Sequence, residues 1–227
     1  MPKYIEEMVS RQVRRSEMAR QKAVESGKAE AHPVVTISRR MGSGARIVAG
    51  KLAADLGWSL WDKELLDAMA ENADVSHRVV ESFDERTMSE LEVIARAALG
   101  DHELGGFIYA RHLAKAVASI AKLGNAIILG RGANFLLPDA LNIRIDASDK
   151  HRIENMTTYE NLTRKEAALK IVQSDRERRD FLIRAFGRER VETCHYDLTI
   201  CTDKFSTADA VEIIKTAMEA RFKLVPG

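Results

Sequence analysis

Residues 33–57, PVVTISRRMGSGARIVAGKLAADLG, constrain this chain more than any other stretch. Val34–Ser38 is an apolar, β-branched run that reads as a buried strand, and from Arg46 onward Ile47, Val48, Leu52 and Leu56 recur at helical spacing. Gly42-Ser43-Gly44 lies between them. Strand, glycine loop and helix in that order aim backbone N–H groups and a helix N-terminus at one point, an arrangement suited to a phosphate. The loop departs from G-x-x-x-x-G-K-[ST]: Arg39 stands at the first glycine, Ala45 at the lysine and Arg46 after it. The stretch predicts an anion site at Arg40, Met41, Gly42, Ser43, Gly44, Ala45 and Arg46. The alternative is a structural glycine turn.

A chain of 227 residues suits one substantial α/β domain, or a domain with a helical insertion. A formal charge of +1 gives no reason to expect nucleic acid or a membrane surface as partner, so local basic clusters matter more than the total. Cys194 and Cys201 cannot support a disulfide framework and lack metal-ligand company, which fits a reducing interior. MPKYIEEMVSRQVRR carries no apolar signal core and no segment approaches a membrane span, so the cytoplasm is the expected location. His77, His102, His112 and His195 show no ligand spacing and read as surface or satisfied residues.

Residues 1–32 read as a charged N-terminal helix with Ile5, Met8, Val9, Val13 and Met18 roughly on one face. That stripe docks on its own domain or on a second subunit, which makes a homodimer through this helix possible. Pro33 opens the second unit, 33–227. Trp58–Asp62 reads as a second strand, and 63–122 as almost wholly helical with a break at Gly100–Gly106. Ala126–Leu129 is a buried parallel strand ending at Gly130-Arg131-Gly132, and Leu141–Ile145 another ending at Asp146 and Ser148. Helices over 149–158 and 163–174, a basic stretch over 175–191, a strand at Leu198–Cys201 and a helix at Ala208–Arg221 complete the chain. This alternation predicts an α/β fold, a parallel sheet with helices on both faces and ligands at the strand C-terminal ends. Arg39 to Arg46, Asp62, Gly130-Arg131, Asp146 and Thr202-Asp203 converge there.

Four segments together resemble the cytidylate kinase-like family, relatives of the P-loop nucleoside monophosphate kinases, over about residues 33–220. They are Ile37–Gly44, Trp61-Asp62-Lys63-Glu64, Ile127–Asn134 and Asp175-Arg176-Glu177-Arg178. The resemblance implies a P-loop kinase core, a helical NMP-binding insertion at 63–122 and an arginine-rich lid at 150–192. It implies transfer of the ATP γ-phosphoryl, with Mg²⁺, to CMP, dCMP or a related small acceptor. Arg131 would grip the acceptor phosphate, with Arg176 and Arg178 on the transferring phosphoryl and Arg152 on the nucleotide. Asp62, Asn134 and Arg179 would touch the substrate. The missing lysine leaves its charge to Arg39 or Arg40 in preference to Arg46, with Arg39 counted as catalytic. Gly132 stands where cytidylate kinases carry an aspartate that helps read the nucleoside, which bears on cytidine specificity, and Ala45 in place of the lysine favours a second reading: a nucleotide-binding sensor or scaffold that has lost turnover.

Overall fold

The computed structural model describes residues 3–25, 33–72, 76, 79, 83, 85–99 and 108–223. Strands β1 (Val34–Arg39), β2 (Ser59–Trp61), β3 (Ala126–Leu129), β4 (Leu141–Asp146) and β5 (Leu198–Cys201) form one parallel sheet in the order β2-β3-β1-β4-β5. Between and after them run α1 (Lys3–Glu25), α2 (Ala45–Leu56), α3 (Lys63–Glu71), α4 (Glu85–Leu99), α5 (Ile108–Leu123) and α6 (Ala133–Leu136). The chain closes with α7 (Asp149–Glu160), α8 (Arg164–Phe186), α9 (Arg188–Glu192) and α10 (Thr207–Phe222). This is the α/β fold with helices on both faces that the alternation of elements predicts. The Gly100–Gly106 break, His77 and His102 lie outside the described residues. No helix among the described residues is long and apolar enough to cross a membrane.

The pleat divides the core. Val35, Ile37, Ile127, Leu129, Ile143 and Ile145 point to one face and pack with Val48, Leu52, Val211 and Ile214 of α2 and α10. Val34, Ala126 and Ile128 point to the other and pack with Leu65, Leu66, Leu113, Val117 and Leu136 of α3, α5 and α6. On this second face β4 carries Asn142, Arg144 and Asp146 at alternate positions. Thr36 Oγ1 donates to Asn142 Oδ1 at 2.6 Å, so β1 and β4 share a polar face beneath the helices.

The N-terminal stripe meets its own domain. Val9 is fully buried, with Ile5, Met8 and Val13 packed beside it on the second-face core. Gln12 Oε1 accepts from the Leu60 N–H at 2.9 Å, which satisfies a donor on the edge strand β2. Ser16 Oγ donates to Ser59 Oγ at 2.8 Å, and Trp61 Nε1 donates to the same oxygen at 2.9 Å.

One boundary differs from the sequence reading. The helix expected to stop at residue 174 runs as α8 from a Thr163/Glu166 capping box to Phe186. No glycine or proline interrupts 164–186, and Gly187 ends it. Much of the basic stretch is therefore the second half of one long helix.

Candidate active site

The glycine loop joins β1 to α2 with its carbonyls fully engaged. Arg39 O accepts from Arg178 Nη1 at 2.6 Å, and Arg40 O from the Ser43 N–H at 3.3 Å. Met41 O accepts from Arg152 Nε at 2.6 Å, Gly42 O from Asn155 Nδ2 at 2.8 Å and Ser43 O from Thr202 Oγ1 at 3.1 Å. Gly44 O takes the first helical N–H groups, those of Ile47 and Val48. Among the described residues, the N–H of Ser43 is the only one from Met41 to Arg46 that donates to another protein group. Five donors gathered at a helix start, against six occupied acceptors, give the loop the polarity of an anion cradle. Ser43 Oγ adds a buried hydroxyl with no partner among the described residues. Gly42 is required here: at φ 79° a Cβ would lie 2.7 Å from the Arg152 carbonyl oxygen.

Arg152 explains that closeness. Its side chain is fully buried, with Nη1 on Asp149 at 2.8 Å and Nη2 on Asp175 at 2.7 Å besides the bond to Met41 O. Three protein oxygens thus occupy the guanidinium expected on the nucleotide, and it braces the loop against α7 and α8. Arg40 is similarly engaged, with Asp175 at 2.9 Å, Asp149 at 3.2 Å and Asp146 at 3.7 Å. Burial opposes ionisation of Asp175, but hydrogen bonds from Arg152 and Arg40 hold its pKa below the usual carboxylate range. Arg46 is 68% exposed and bonds Asp62 at 2.7 Å. Asp62 caps α3, accepting the N–H groups of Glu64 and Leu65 at 3.1 and 3.3 Å. Both oxygens expected to face the substrate are therefore engaged.

Arg39 and Arg178 differ. Arg39 makes no ion pair or side-chain hydrogen bond among the described residues, and its guanidinium lies where a Cβ on Gly130 would be, 2.6 Å from Nη1. Burial first, then the charges of Arg178 and Arg46, lower its pKa to about 10. It remains a cation at neutral pH, held among cations. Burial likewise lowers the pKa of Arg178; Asp175 opposes the shift, and Arg152 and Arg131 add to it. Arg131 follows β3 in a left-handed conformation, φ 54°, and its guanidinium forks onto Asp67 of α3.

These groups border a cavity of about 660 Å³ between the second sheet face and α8. Arg39, Arg40, Met41, Arg131, Asn134, Arg178 and Arg179 line it; Arg152, Asp62 and the loop residues from Gly42 to Arg46 do not. Asn134 accepts from Ser38 Oγ at 3.2 Å and donates to Cys194 Sγ at 3.2 Å. Arg179 pairs with Glu192 at 3.1 Å at the rim. Arg176 is 83% exposed, beside Asp180, and absent from the cavity. Ser174, Asp175, Glu177, Arg178 and Arg179 of α8 border the cavity, and Arg176 alone in that run turns away from it.

Lys63, Arg144, Phe181 and Tyr196 also line the cavity, and sequence reading did not select them. Arg144 left a legible signal, a polar residue alternating with Asn142 and Asp146 in an otherwise apolar strand. Tyr196 left none, since only tertiary folding brings it under the Arg144 guanidinium, 5.7 Å from the ring centroid.

No group of three or more His, Cys, Asp or Glu among the described residues is arranged to hold a metal. The position where a P-loop supplies a hydroxyl is Arg46, held on Asp62. The donor set does not fit a protein-built Mg²⁺ site.

Residues 34–204 match the sequence model of the cytidylate kinase-like family. The chain is 32% identical to a cytidylate kinase of Pyrococcus horikoshii over 100 residues, 44% of this chain and 52% of that protein. It is 30% identical to a cytidylate kinase of Pyrococcus abyssi over 106 residues, 46% and 59% of the two chains. The matches thus span little more than half the length of these curated relatives. The crystal structure of an uncharacterized protein from Eubacterium ventriosum superposes with a TM-score of 0.60 at 24% identity, covering 84% of this chain and 99% of that one, a likeness of fold. With its parallel sheet in the order β2-β3-β1-β4-β5, its glycine loop after β1 and a family match over most of its length, the chain belongs to the cytidylate kinase-like family.

Proposed function

We propose that this protein binds ATP at the glycine loop and transfers its γ-phosphoryl to a nucleoside monophosphate, with CMP or dCMP as the first acceptors to test. The observation that carries the reading is the loop's polarity beside two buried guanidiniums, Arg39 and Arg178, that form no ion pair among the described residues and whose charge burial disfavours more than the nearby Asp62 and Asp175 support it. Phosphoryl transfer asks little covalent chemistry of a protein; it asks for alignment, exclusion of water and positive charge where negative charge gathers. The open N–H groups of the loop hold the nucleotide phosphates. Arg39 supplies the cation that Ala45 lacks, because Arg40 and Arg46 are already neutralised. Arg178, aimed inward from α8, meets the transferring phosphoryl, and Arg131 takes the acceptor phosphate.

The absent lysine favours one competing reading, a nucleotide-binding relative without turnover. Incubating the pure full chain with ATP, Mg²⁺ and a panel of nucleoside monophosphates, and following ADP, separates the two. The expected result is acceptor-dependent ADP that Arg39→Met abolishes and Arg176→Ala does not. ATP binding without ADP from any acceptor would establish the non-catalytic reading instead.

A further inference from the structure

The residue at the end of β3 has support that the proposed reaction does not itself demand. Arg131 holds φ 54°, and a non-glycine residue stays in that region only where its surroundings over-determine it. Its Nε and Nη2 donate to the two oxygens of Asp67. Tyr109 of α5 donates its hydroxyl to Asp67 Oδ1, and Lys63 Nζ stands 3.6 Å from Oδ2. The guanidinium lies 4.6 Å from the ring centroid of Phe181 on α8 and 5.8 Å from that of Tyr109. Arg131, Lys63 and Phe181 line the cavity, whereas Asp67 and Tyr109 lie behind it. The carboxylate therefore grips the guanidinium from the rear, and Nη1 is the edge with no protein acceptor among the described residues. Burial works against the Arg131 charge, yet the bond to Asp67 and the nearby Tyr109, Asp67 and Glu71 together raise its pKa.

We propose that Asp67 is the positioning residue of the acceptor site: by fork pairing it fixes the Arg131 plane so that the Nη1 edge meets the acceptor's phosphate, and Tyr109 fixes Asp67. The proposal rests on reading Arg131 as the acceptor-phosphate group. A carboxylate suits the task because its two oxygens match the two parallel N–H bonds of the fork. An asparagine offers one oxygen and sets an NH₂ against the other N–H, which frees the guanidinium to turn. Because Asp67 sits on α3, Tyr109 on α5 and Phe181 on α8, the same joint ties the insertion and the lid to β3.

Isothermal titration of the full chain with CMP, and separately with inorganic phosphate, tests this on the parent, Asp67→Asn, Arg131→Met and the double variant. Asp67→Asn is expected to weaken both ligands about tenfold, the scale of loss when a binding group is misaligned. ATP affinity stays within about twofold, and the substitution adds nothing in the Arg131→Met background. Tyr109→Phe keeps the ring, removes one hydroxyl and weakens both ligands about threefold, which tests the inference even where Asp67→Asn does not fold. Equal loss in both backgrounds would mark Asp67 as merely structural and overturn the proposal. Unchanged binding overturns it too, and tighter binding would mean that Asp67 competes for the acceptor's place. If phosphate follows the expected pattern while CMP binds no variant, the acceptor reading fails and the positioning role stands. If neither ligand binds the parent, both fall.

Discussion

Two pairs of arginines, one at the glycine loop and one where β1 meets α8, use the same side chain to opposite ends. Arg40 and Arg152 meet Asp146, Asp149 and Asp175, three carboxylates gathered where β4 ends, α7 begins and α8 crosses. Arg39 and Arg178 form no ion pair among the described residues and feel Asp62 and Asp175 only through space. The first pair builds the loop; the second is left with charge that a bound anion can balance. An arginine in a phosphate-binding region is thus read by its supply of carboxylates. A buried guanidinium whose donors are all spent on protein oxygens, as in Arg152, is structure, and one left without an ion pair is held at a cost that function accounts for.

Arg39→Met sharpens the contrast most. Turnover should fall by about 10²–10³, the scale for losing one preorganised charge at a developing anion. Melting temperature should hold or rise. The sign follows from a folded pKa lowered to about 10: the charged form is disfavoured by folding below about pH 10, and that cost is relieved as pH rises through that value toward the ordinary arginine range. A marked drop in melting temperature would break the comparison. Arg152→Met should do the reverse in stability, removing about 2 kcal/mol by leaving the Met41 carbonyl without its donor and Asp175 with Arg40 alone, as urea unfolding would show.

Anions supply a smaller, reversible test. Phosphate at about 100 times its dissociation constant should stabilise the parent by about 2.7 kcal/mol, seen as a rise in melting temperature. Arg39→Met should lose most of that rise, while Arg176→Ala keeps it. The pairing of Asp175 with Arg40 and Arg152 carries the next effect. Because the Asp175 pKa is depressed from 3.8, its contribution is complete above that value and is lost as pH falls through the lower folded value. The stability gap between the parent and Asp175→Asn should therefore stay constant through neutral pH and close only in acid. Arg176→Ala, on the exposed face of α8, should change stability by less than about 0.5 kcal/mol and leave turnover unchanged.

Most of the fold is legible in the sequence because its signals are local. β-branched runs, helical periodicity and glycine stops give the order of elements, and Asp62 shows how a capping residue marks a helix start by its place in the chain alone. The glycine loop is legible in the same way, since Gly42 and Gly44 occupy left-handed backbone that glycine adopts at little cost. The end of α8 is not, because a run of charges reads as a lid loop or a helix face alike until the Thr163 cap and Gly187 stop are weighed. Among the site residues, the sequence picks out Arg39, Arg40, Arg152, Arg176 and Arg178 as a set and cannot divide them.

That division belongs to the tertiary structure. By itself the sequence determined the strand–loop–helix unit, the parallel α/β architecture, and a cluster of arginines at the strand C-terminal ends. Those follow from spacing along one chain. Which arginines are neutralised, which face of α8 turns inward and what stands behind Arg131 depend on Asp67, Asp149 and Asp175 arriving from distant elements. A guanidinium's role is fixed by charges within a few ångströms, and that distance is set by packing rather than by sequence separation.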